Sequence, residues 1–170
     1  MKFRKLKKSD KENASALFEA CLADLIRREG IDEPGLFENE MERLNGVAVA
    51  SLQYAGPCMY IAENGGILLG TIAVLPPGPM AVLHANAAEP DIEIGCVYIH
   101  PDHQRQGVGH FLIRSAIAKA KESPAGRFFL DAGFSSSRAY WTKQLGNPTI
   151  TLEDYWGTGQ PHAIWVKDLE

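Results

Sequence analysis

The most informative segment of the chain is a glutamine- and glycine-rich turn that precedes a helix. The turn reads QRQGVG at residues 104–109, and an amphipathic segment follows it. Backbone N–H groups in the first turn of a helix are unpaired, and the helix dipole adds positive charge there. Glycines leave room for a ligand to approach the backbone closely. The pattern therefore predicts an anion site, suited to a phosphate or a pyrophosphate.

Two better-known glycine motifs do not fit this segment. A dinucleotide-binding turn puts its glycines directly after the strand and a third glycine three residues further on. Here seven residues separate Ile99 from Gly107, and Leu112 holds the third position. A P-loop needs Gly-Lys-Ser or Gly-Lys-Thr, which the chain lacks. The remaining alternative is a flexible turn before an ordinary helix.

The turn and the strand before it resemble the GNAT superfamily of N-acetyltransferases. The signature of that family, Gln/Arg-x-x-Gly-x-Gly/Ala, follows a strand that ends in Val-x-Val-x-Pro. Residues 104–109 match every fixed position, and residues 97–101 read VYIHP. The resemblance implies an α/β fold with a twisted, mostly antiparallel mixed sheet of six or seven strands. About four helices would flank this sheet, in a single domain over residues 1–170.

The resemblance also implies acetyl-CoA as cosubstrate, with no metal, and it indicates where the cofactor binds. Backbone amides of the turn would hold the pyrophosphate, and amides of the preceding strand would pair with the pantetheine arm. Gly95 would mark a bulge in that strand. Ser136 stands where the family has an asparagine. The candidate cofactor-binding residues are Val97, Tyr98, Ile99, Gln104, Arg105, Gln106, Gly107, Val108, Gly109, His110 and Ser136.

Acyl transfer from a thioester to an amine requires a base that removes a proton from the amine. Glu93 is the best candidate, because it lies on the strand that carries Val97 and the resemblance implies a carboxylate there. Its alternative is an ordinary surface charge, and Asp91 is a weaker substitute. Cys96 is a possible nucleophile for a covalent route, but such a cysteine is more often a small core residue.

The last helix departs from the family pattern, in which Tyr-x-x-x-Gly-Phe supplies the acid for the leaving thiolate. The residue four before Gly146 is Thr142. Tyr140 and Trp141 lie just before it, and only Tyr140 can donate a proton, so Tyr140 is the candidate acid. The displaced tyrosine leaves open a second class of function, a non-catalytic acyl-CoA-binding sensor or regulatory module.

Other polar and aromatic groups carry weaker hypotheses. His100, His103 and His110 occupy a loop and a helix start without a second cluster, so no metal site is predicted. By resemblance, the loop that holds Tyr155 and Trp156 would border the acceptor, although a tryptophan packed on the sheet edge is as plausible. We expect the proline-rich loop with His84 and Asn86 to border the acceptor as well.

Hydrophobic periodicity and turn residues predict a mixed sheet covered by helices. Helices are predicted over 14–28, from Pro34 through Leu44, and over 107–122 and 136–145, with Ser9 or Asp10 capping the first. Residues 47–54 are ambiguous between helix and strand, the break at Gly56-Pro57 follows, and residues 76–90 read as a loop. Strands are predicted over 3–7, 58–63, 67–75, 92–99, 128–132, 149–155 and 162–169.

Composition favours an ordinary globular protein of 170 residues, with 45% hydrophobic and 22% charged residues. No secretory signal or membrane span is predicted, and three cysteines without metal spacing suggest a reducing, cytoplasmic location. The first eleven residues carry a charge of +5 and the rest −9, which total the net −4. This disfavours a nucleic-acid partner and mildly favours a cationic small-molecule amine or peptide acceptor. Dimers are common in the family, so a homodimer is also considered.

Overall fold

The computed structural model describes residues 1–53 and 58–169. In these residues seven strands form a mixed sheet of order β1-β2-β3-β4-β5-β7-β6, in which the β4–β5 pair is parallel. The strands are β1 (Lys2–Lys5), β2 (Cys58–Asn64), β3 (Ile67–Leu75), β4 (Ile92–Ile99), β5 (Arg127–Ala132), β6 (Ile150–Leu152) and β7 (His162–Asp168). The helices are α1 (Lys11–Glu29), α2 (Leu36–Gln53), α3 (Pro79–Ala85), α4 (Val108–Ala120) and α5 (Ser135–Leu145). The expected fold class is confirmed, with five helices instead of about four.

The chain divides into two compact units, and β4 contributes to both. The first unit comprises Met1–Val74 and Cys96–Ala118. Here β1 and β3 flank β2 in antiparallel pairs, and a two-residue turn with positive φ at Gly65 and Gly66 joins β2 to β3. The apolar face of α1 is buried through Ala14, Leu17, Phe18, Cys21, Leu22 and Leu25. This is the periodicity that the sequence predicts for an amphipathic helix.

The basic start of the chain forms the edge strand β1, and one of its cations is half-buried. The Arg4 guanidinium lies 2.6 Å from Asp10 Oδ2 and 2.6 Å from Glu63 Oε2. Asp10 therefore does not cap α1 with its side chain, as the sequence suggested. Its carboxylate instead binds Arg4 and accepts a 2.7 Å hydrogen bond from Lys7 N, which ties β1 to the start of the first helix.

The second unit comprises Leu75–Gly95 and Lys119–Glu170. Its centre is the antiparallel β5–β7 pair, in which Phe129 lies opposite Val166 and Leu130 opposite Trp165. Trp165 is fully buried, and its indole N–H donates a 2.8 Å hydrogen bond to Gly146 O. Ala81 and Ala87, from the α3 segment, pack in the same core as Phe129 and Ile164. This small core holds α3 against the strands.

Several boundaries differ from the sequence-based predictions for local reasons. The ambiguous stretch is helical to Gln53, because Leu44, Ala48 and Ser51 are buried at helical spacing; Tyr54, Gly56 and Pro57 lie outside the described residues. The predicted loop at 76–90 contains α3, since a proline at the first helical position is compatible with a helix start. The predicted strand 149–155 is shorter, because Asp154 adopts a positive φ of 51° in a turn.

None of the helices within residues 1–53 and 58–169 is long and apolar enough to cross a bilayer. All three cysteines are free thiols, and Cys21 and Cys96 are buried.

Candidate active site

Strand β4 carries an irregularity at its centre, one residue later than the sequence suggested. The left-handed residue is Cys96, with φ of 52°, and not Gly95. The Thr71 hydroxyl donates a 3.0 Å hydrogen bond to Cys96 O and holds this irregular backbone. On β3, Gly70 allows close approach of β4, since a Cβ atom there would lie 2.7 Å from Tyr98 O. The backbone of β4 is therefore fixed on the β3 side in the first unit.

The QRQGVG turn is tied to the end of β4 by its first glutamine. Gln104 Nε2 donates a 3.2 Å hydrogen bond to Ile99 O, and Gln106 Nε2 donates a 2.8 Å bond to Asp102 O. Arg105 and Gly107 both have positive φ, at 59° and 84°. These bonds and dihedral angles position the turn at the start of α4.

The backbone N–H groups at this turn are arranged as an anion site requires. The first hydrogen bond of α4 runs from Phe111 N to Gly107 O, so the N–H groups of Val108 and Gly109 precede it and have no acceptor within the helix. Space at Gly107 is open, because a Cβ atom there would meet no atom within 4 Å. The turn therefore presents amides and the positive end of a helix to an open surface.

The edge of β4 away from β3 carries further backbone donors. His100 N donates a 3.0 Å bond to Leu69 O on β3. Because successive N–H groups of a strand point to opposite edges, the N–H of Ile99 points away from β3. The β4–β5 ladder covers only Ile92 and Glu93. Val97 and Ile99 lie outside that ladder. Their position therefore suits a ligand that pairs with the backbone of β4 like an added strand.

A polar cluster on α2 faces β4, and the sequence analysis missed it. The Arg43 guanidinium binds Glu40 through two N–H groups, at 3.1 and 2.8 Å, and its Nη1 lies 3.7 Å from Cys96 Sγ. The Tyr98 hydroxyl is 3.5 Å from Glu40 Oε2. Burial, together with the charge of Glu40, raises the pKa of Tyr98. A usable signal was that Glu40 stands four residues before the buried Leu44, on the core-facing side of the helix.

In the second unit, the carboxylate of Glu93 is half-buried and held by a backbone donor. Its Oε2 accepts a 2.7 Å hydrogen bond from Gly78 N. Gly78 has φ of −81°, which any residue adopts. A Cβ atom at this position would nevertheless lie 2.7 Å from Glu93 Oε2. Gly78 thus combines a donor for the carboxylate with the absence of a side chain that would displace it.

Asp91, the weaker candidate base, is engaged elsewhere in the same unit. Arg127 Nη2 lies 2.9 Å from Asp91 Oδ2, and Ala88 N donates to that oxygen at 3.1 Å. Burial opposes the ionised form, but these hydrogen bonds prevail and lower the pKa of Asp91 below its usual range. A carboxylate so stabilised is a poor proton acceptor.

Tyr140, the candidate acid on α5, has a buried hydroxyl. Within residues 1–53 and 58–169 its Oη has no hydrogen-bond partner. Burial raises the pKa of Tyr140 above its ordinary value, so the phenol holds its proton. Thr142 is exposed and Trp141 is buried, and Ser136 lies half-buried in the first turn of the same helix.

The aromatic residues assigned to the acceptor side are brought together in the second unit. The ring of Tyr155 lies 5.8 Å from the ring of His84 and 5.7 Å from that of His162. Trp156 Nε1 donates a 3.0 Å hydrogen bond to His162 Nδ1. His162 Nε2 is 3.2 Å from Asp131 Oδ1, at an angle that does not meet hydrogen-bond geometry. Trp156 is therefore exposed and is anchored to His162 at the start of β7.

No group of three or more histidine, cysteine, aspartate or glutamate side chains within the described ranges is close enough to hold a metal ion. His100, His103 and Asp102 occupy a short turn, in which His100 Nδ1 accepts from Asp102 N at 3.3 Å.

The strand order of this mixed sheet and the QRQGVG turn at the start of the helix after β4 are together typical of an acetyltransferase. Comparison with protein families matches the Acetyltransferase (GNAT) family over residues 14–146, which is more than half of the chain. The chain belongs to this family. No curated protein sequence matches it.

Solved structures agree on the fold. A GNAT-family protein from Desulfovibrio desulfuricans is 13% identical, with 99% of each chain covered and a TM-score of 0.77. PaiA N-acetyltransferase from Thermoplasma acidophilum, in complex with coenzyme A, is 17% identical over 98% of each chain, with a TM-score of 0.72. The ribosomal-protein-S18-alanine N-acetyltransferase from Escherichia coli is 13% identical, covering 99% of this chain and 94% of its own, with a TM-score of 0.68.

Proposed function

We propose that the protein is an acetyl-CoA-dependent N-acetyltransferase that acts in the cytoplasm as one domain over residues 1–170. The observation that carries the proposal is the QRQGVG turn, whose helix-start amides face open space in a chain of the acetyltransferase family. In this reading the cofactor pyrophosphate binds residues 104–110, and the pantetheine arm pairs with the backbone of residues 97–99. Ser136 supplies a further contact.

The chemistry is a direct transfer. Glu93 takes a proton from the acceptor ammonium, and the neutral nitrogen then attacks the thioester carbonyl. The tetrahedral intermediate collapses as the C–S bond breaks, and the nitrogen releases its second proton to solvent, so that an amide and the CoA thiolate result. The Gly78 hydrogen bond supports this role, because it fixes the position of one carboxylate oxygen of Glu93, whereas the pKa of Asp91 is lowered.

The thiolate takes its proton from Tyr140 in this mechanism. A buried hydroxyl without a partner calls for one, and the sulfur of the leaving group is a candidate partner for Tyr140 Oη. The raised pKa of Tyr140 keeps the phenol protonated at neutral pH. Proton donation here is a modest aid, since thiols are already acidic, with a pKa of about 8.5.

The proposed acceptor is a primary amine on a small molecule or a peptide. Support comes from the aromatic group of Tyr155, Trp156 and His84 in the second unit. His84 Nε2 is buried and, among the described residues, makes no hydrogen bond, so a polar group of the acceptor is a candidate partner for this nitrogen. An aromatic surface also attracts an ammonium ion through its π faces.

The first experiment measures acetyl-CoA binding by calorimetry. We expect wild-type protein to bind with a dissociation constant of micromolar order, and Gly109→Trp to bind at least about tenfold more weakly, because the indole would fill the amide site. Glu19→Trp, on the exposed face of α1, is the matched control for an added indole. A folded wild-type protein that does not bind acetyl-CoA would refute the proposal.

A second prediction concerns the acid. Tyr140→Phe should lower kcat by about tenfold without lowering the free energy of unfolding, because the lost hydroxyl has no partner in the described residues. Since the pKa of Tyr140 is raised above about 10, wild-type activity should not decline through loss of this proton below about pH 10. Steady-state kinetics and thermal melts test both statements, and an unchanged kcat would exclude Tyr140 as the acid.

A further inference from the structure

A shallow, open groove of about 500 Å³ lies beside the QRQGVG turn and follows one face of α4. Its lining residues recur at helical spacing and begin at the turn itself: Gly107, His110, Phe111, Arg114, Ser115 and Ala118. Met1 completes the lining. A ligand held at the turn amides can therefore continue along this face of the helix without leaving the protein surface.

Arg114 is the permanent charge in that groove. Its side chain is exposed, and within residues 1–53 and 58–169 it makes no hydrogen bond or ion pair. By contrast Arg4, Arg43 and Arg127 are all bound to carboxylates. Arg114 is thus a cation in a ligand-sized groove with no partner in the described protein.

The position of Arg114 relative to the turn suits a second phosphate. Arg114 lies seven positions after Gly107, which is about 10 Å along a helix axis at 1.5 Å per residue. Long side chains on a helix lean toward its N-terminus, so the guanidinium reaches back over the turn that precedes Arg114. The side chain of Arg114 therefore leans toward the end of α4 that carries the amides of Val108 and Gly109.

We propose that Arg114 binds the 3′-phosphate of coenzyme A and makes the protein select CoA over its 3′-dephospho form. The inference rests on the proposed function, in which the pyrophosphate binds the turn. One ribose carries both the 5′-diphosphate and the 3′-phosphate, so the second phosphate must lie within a few bonds of the turn. Guanidinium groups bind phosphate oxygens through two parallel N–H bonds. Phe111, in edge contact with Phe3 at 6.4 Å, offers an apolar wall beside this cation.

The test compares two ligands on four proteins. Calorimetry at fixed ionic strength gives dissociation constants for CoA and 3′-dephospho-CoA with wild type, Arg114→Met, Arg114→Lys and Arg27→Met. The methionine keeps the apolar stem and removes the charge. Arg27→Met makes the same change on α1, where the arginine is exposed and pairs with Asp24.

Wild type and Arg27→Met should prefer CoA by about tenfold, as a partly exposed charge-assisted contact allows. Arg114→Met should bind CoA and 3′-dephospho-CoA with the dissociation constant that wild type has for 3′-dephospho-CoA. Arg114→Lys should retain part of the preference for CoA. Equal weakening of both ligands in Arg114→Met, or a preference that survives there, overturns this inference and leaves the proposed function intact. Failure of wild type to bind either ligand overturns both.

Discussion

Glu93→Gln should reduce acetyl transfer by roughly 10²–10⁴-fold, which is the usual contribution of a positioned general base. The amide retains an oxygen that accepts the Gly78 hydrogen bond, so this contact is kept while the ability to take a proton is lost. We expect acetyl-CoA binding and the melting temperature to stay unchanged. Turnover with the best substrate from a panel of primary amines, and slow hydrolysis of the thioester, are the two measurements.

The amine itself supplies a discriminating control. An acceptor that is already neutral at the assay pH needs less help from a base, so it should lose less activity in Glu93→Gln than a strongly basic amine. Glu89→Gln, at an exposed position, removes the same charge and should have no effect. Equal rates for Glu93→Gln and wild type with a basic amine would assign the proton transfer to another group.

Gly78→Ala should lower kcat by roughly tenfold to a hundredfold, although Gly78 does no chemistry. The new Cβ atom would lie 2.7 Å from Glu93 Oε2, and the carboxylate, as the end of a flexible side chain, moves more easily than the backbone. A displacement of about 1 Å at a reacting group can cost about 100-fold in rate. Stability should change little, since φ of −81° suits alanine.

A positioning role for Gly78 predicts a specific combination of kinetic, binding and stability results. In Gly78→Ala the acetyl-CoA dissociation constant and the melting temperature should match wild type while kcat falls. The double variant with Glu93→Gln should be no slower than Glu93→Gln alone, because the two changes act on one group. Gly126→Ala, at a glycine where a Cβ would meet nothing within 4 Å, is the control. Additive losses in the double variant would show that Gly78 acts by another route.

The turn could be predicted from sequence because everything that defines it is local. Glutamine, two glycines and an amphipathic helix follow each other within a few residues, and the first helix and the β2–β3 hairpin are local in the same way. The sequence analysis placed the irregularity of β4 one residue early, at Gly95, because glycine is the residue expected to adopt a positive φ. In the structure the residue with positive φ is Cys96, and the hydrogen bond from the Thr71 hydroxyl fixes the backbone there.

Contacts between distant segments could not be predicted. The hydrogen bond from Gly78 to Glu93 joins residues 15 apart, and the Arg43 contact with Cys96 joins residues 53 apart. The α3 helix was missed because Pro76, Pro77 and Pro79 suggested a loop, while burial of Ala81 against Phe129 decided the outcome. The chemical roles of Glu93 and Tyr140, for their part, remain predictions that only the variants above can test.

The close approach of β4 to Gly70 makes position 70 unusually sensitive to substitution. A Cβ atom there would be 2.7 Å from Tyr98 O, 3.1 Å from Leu112 Cδ1 and 3.4 Å from Ile99 Cα. The first of these atoms is main chain and cannot rotate away. A random library of this gene should therefore accept many residues on the exposed faces of α1 and α2, yet almost none but glycine at position 70. Surveys of active variants would then identify this site as essential, although glycine has no side chain that could take part in catalysis.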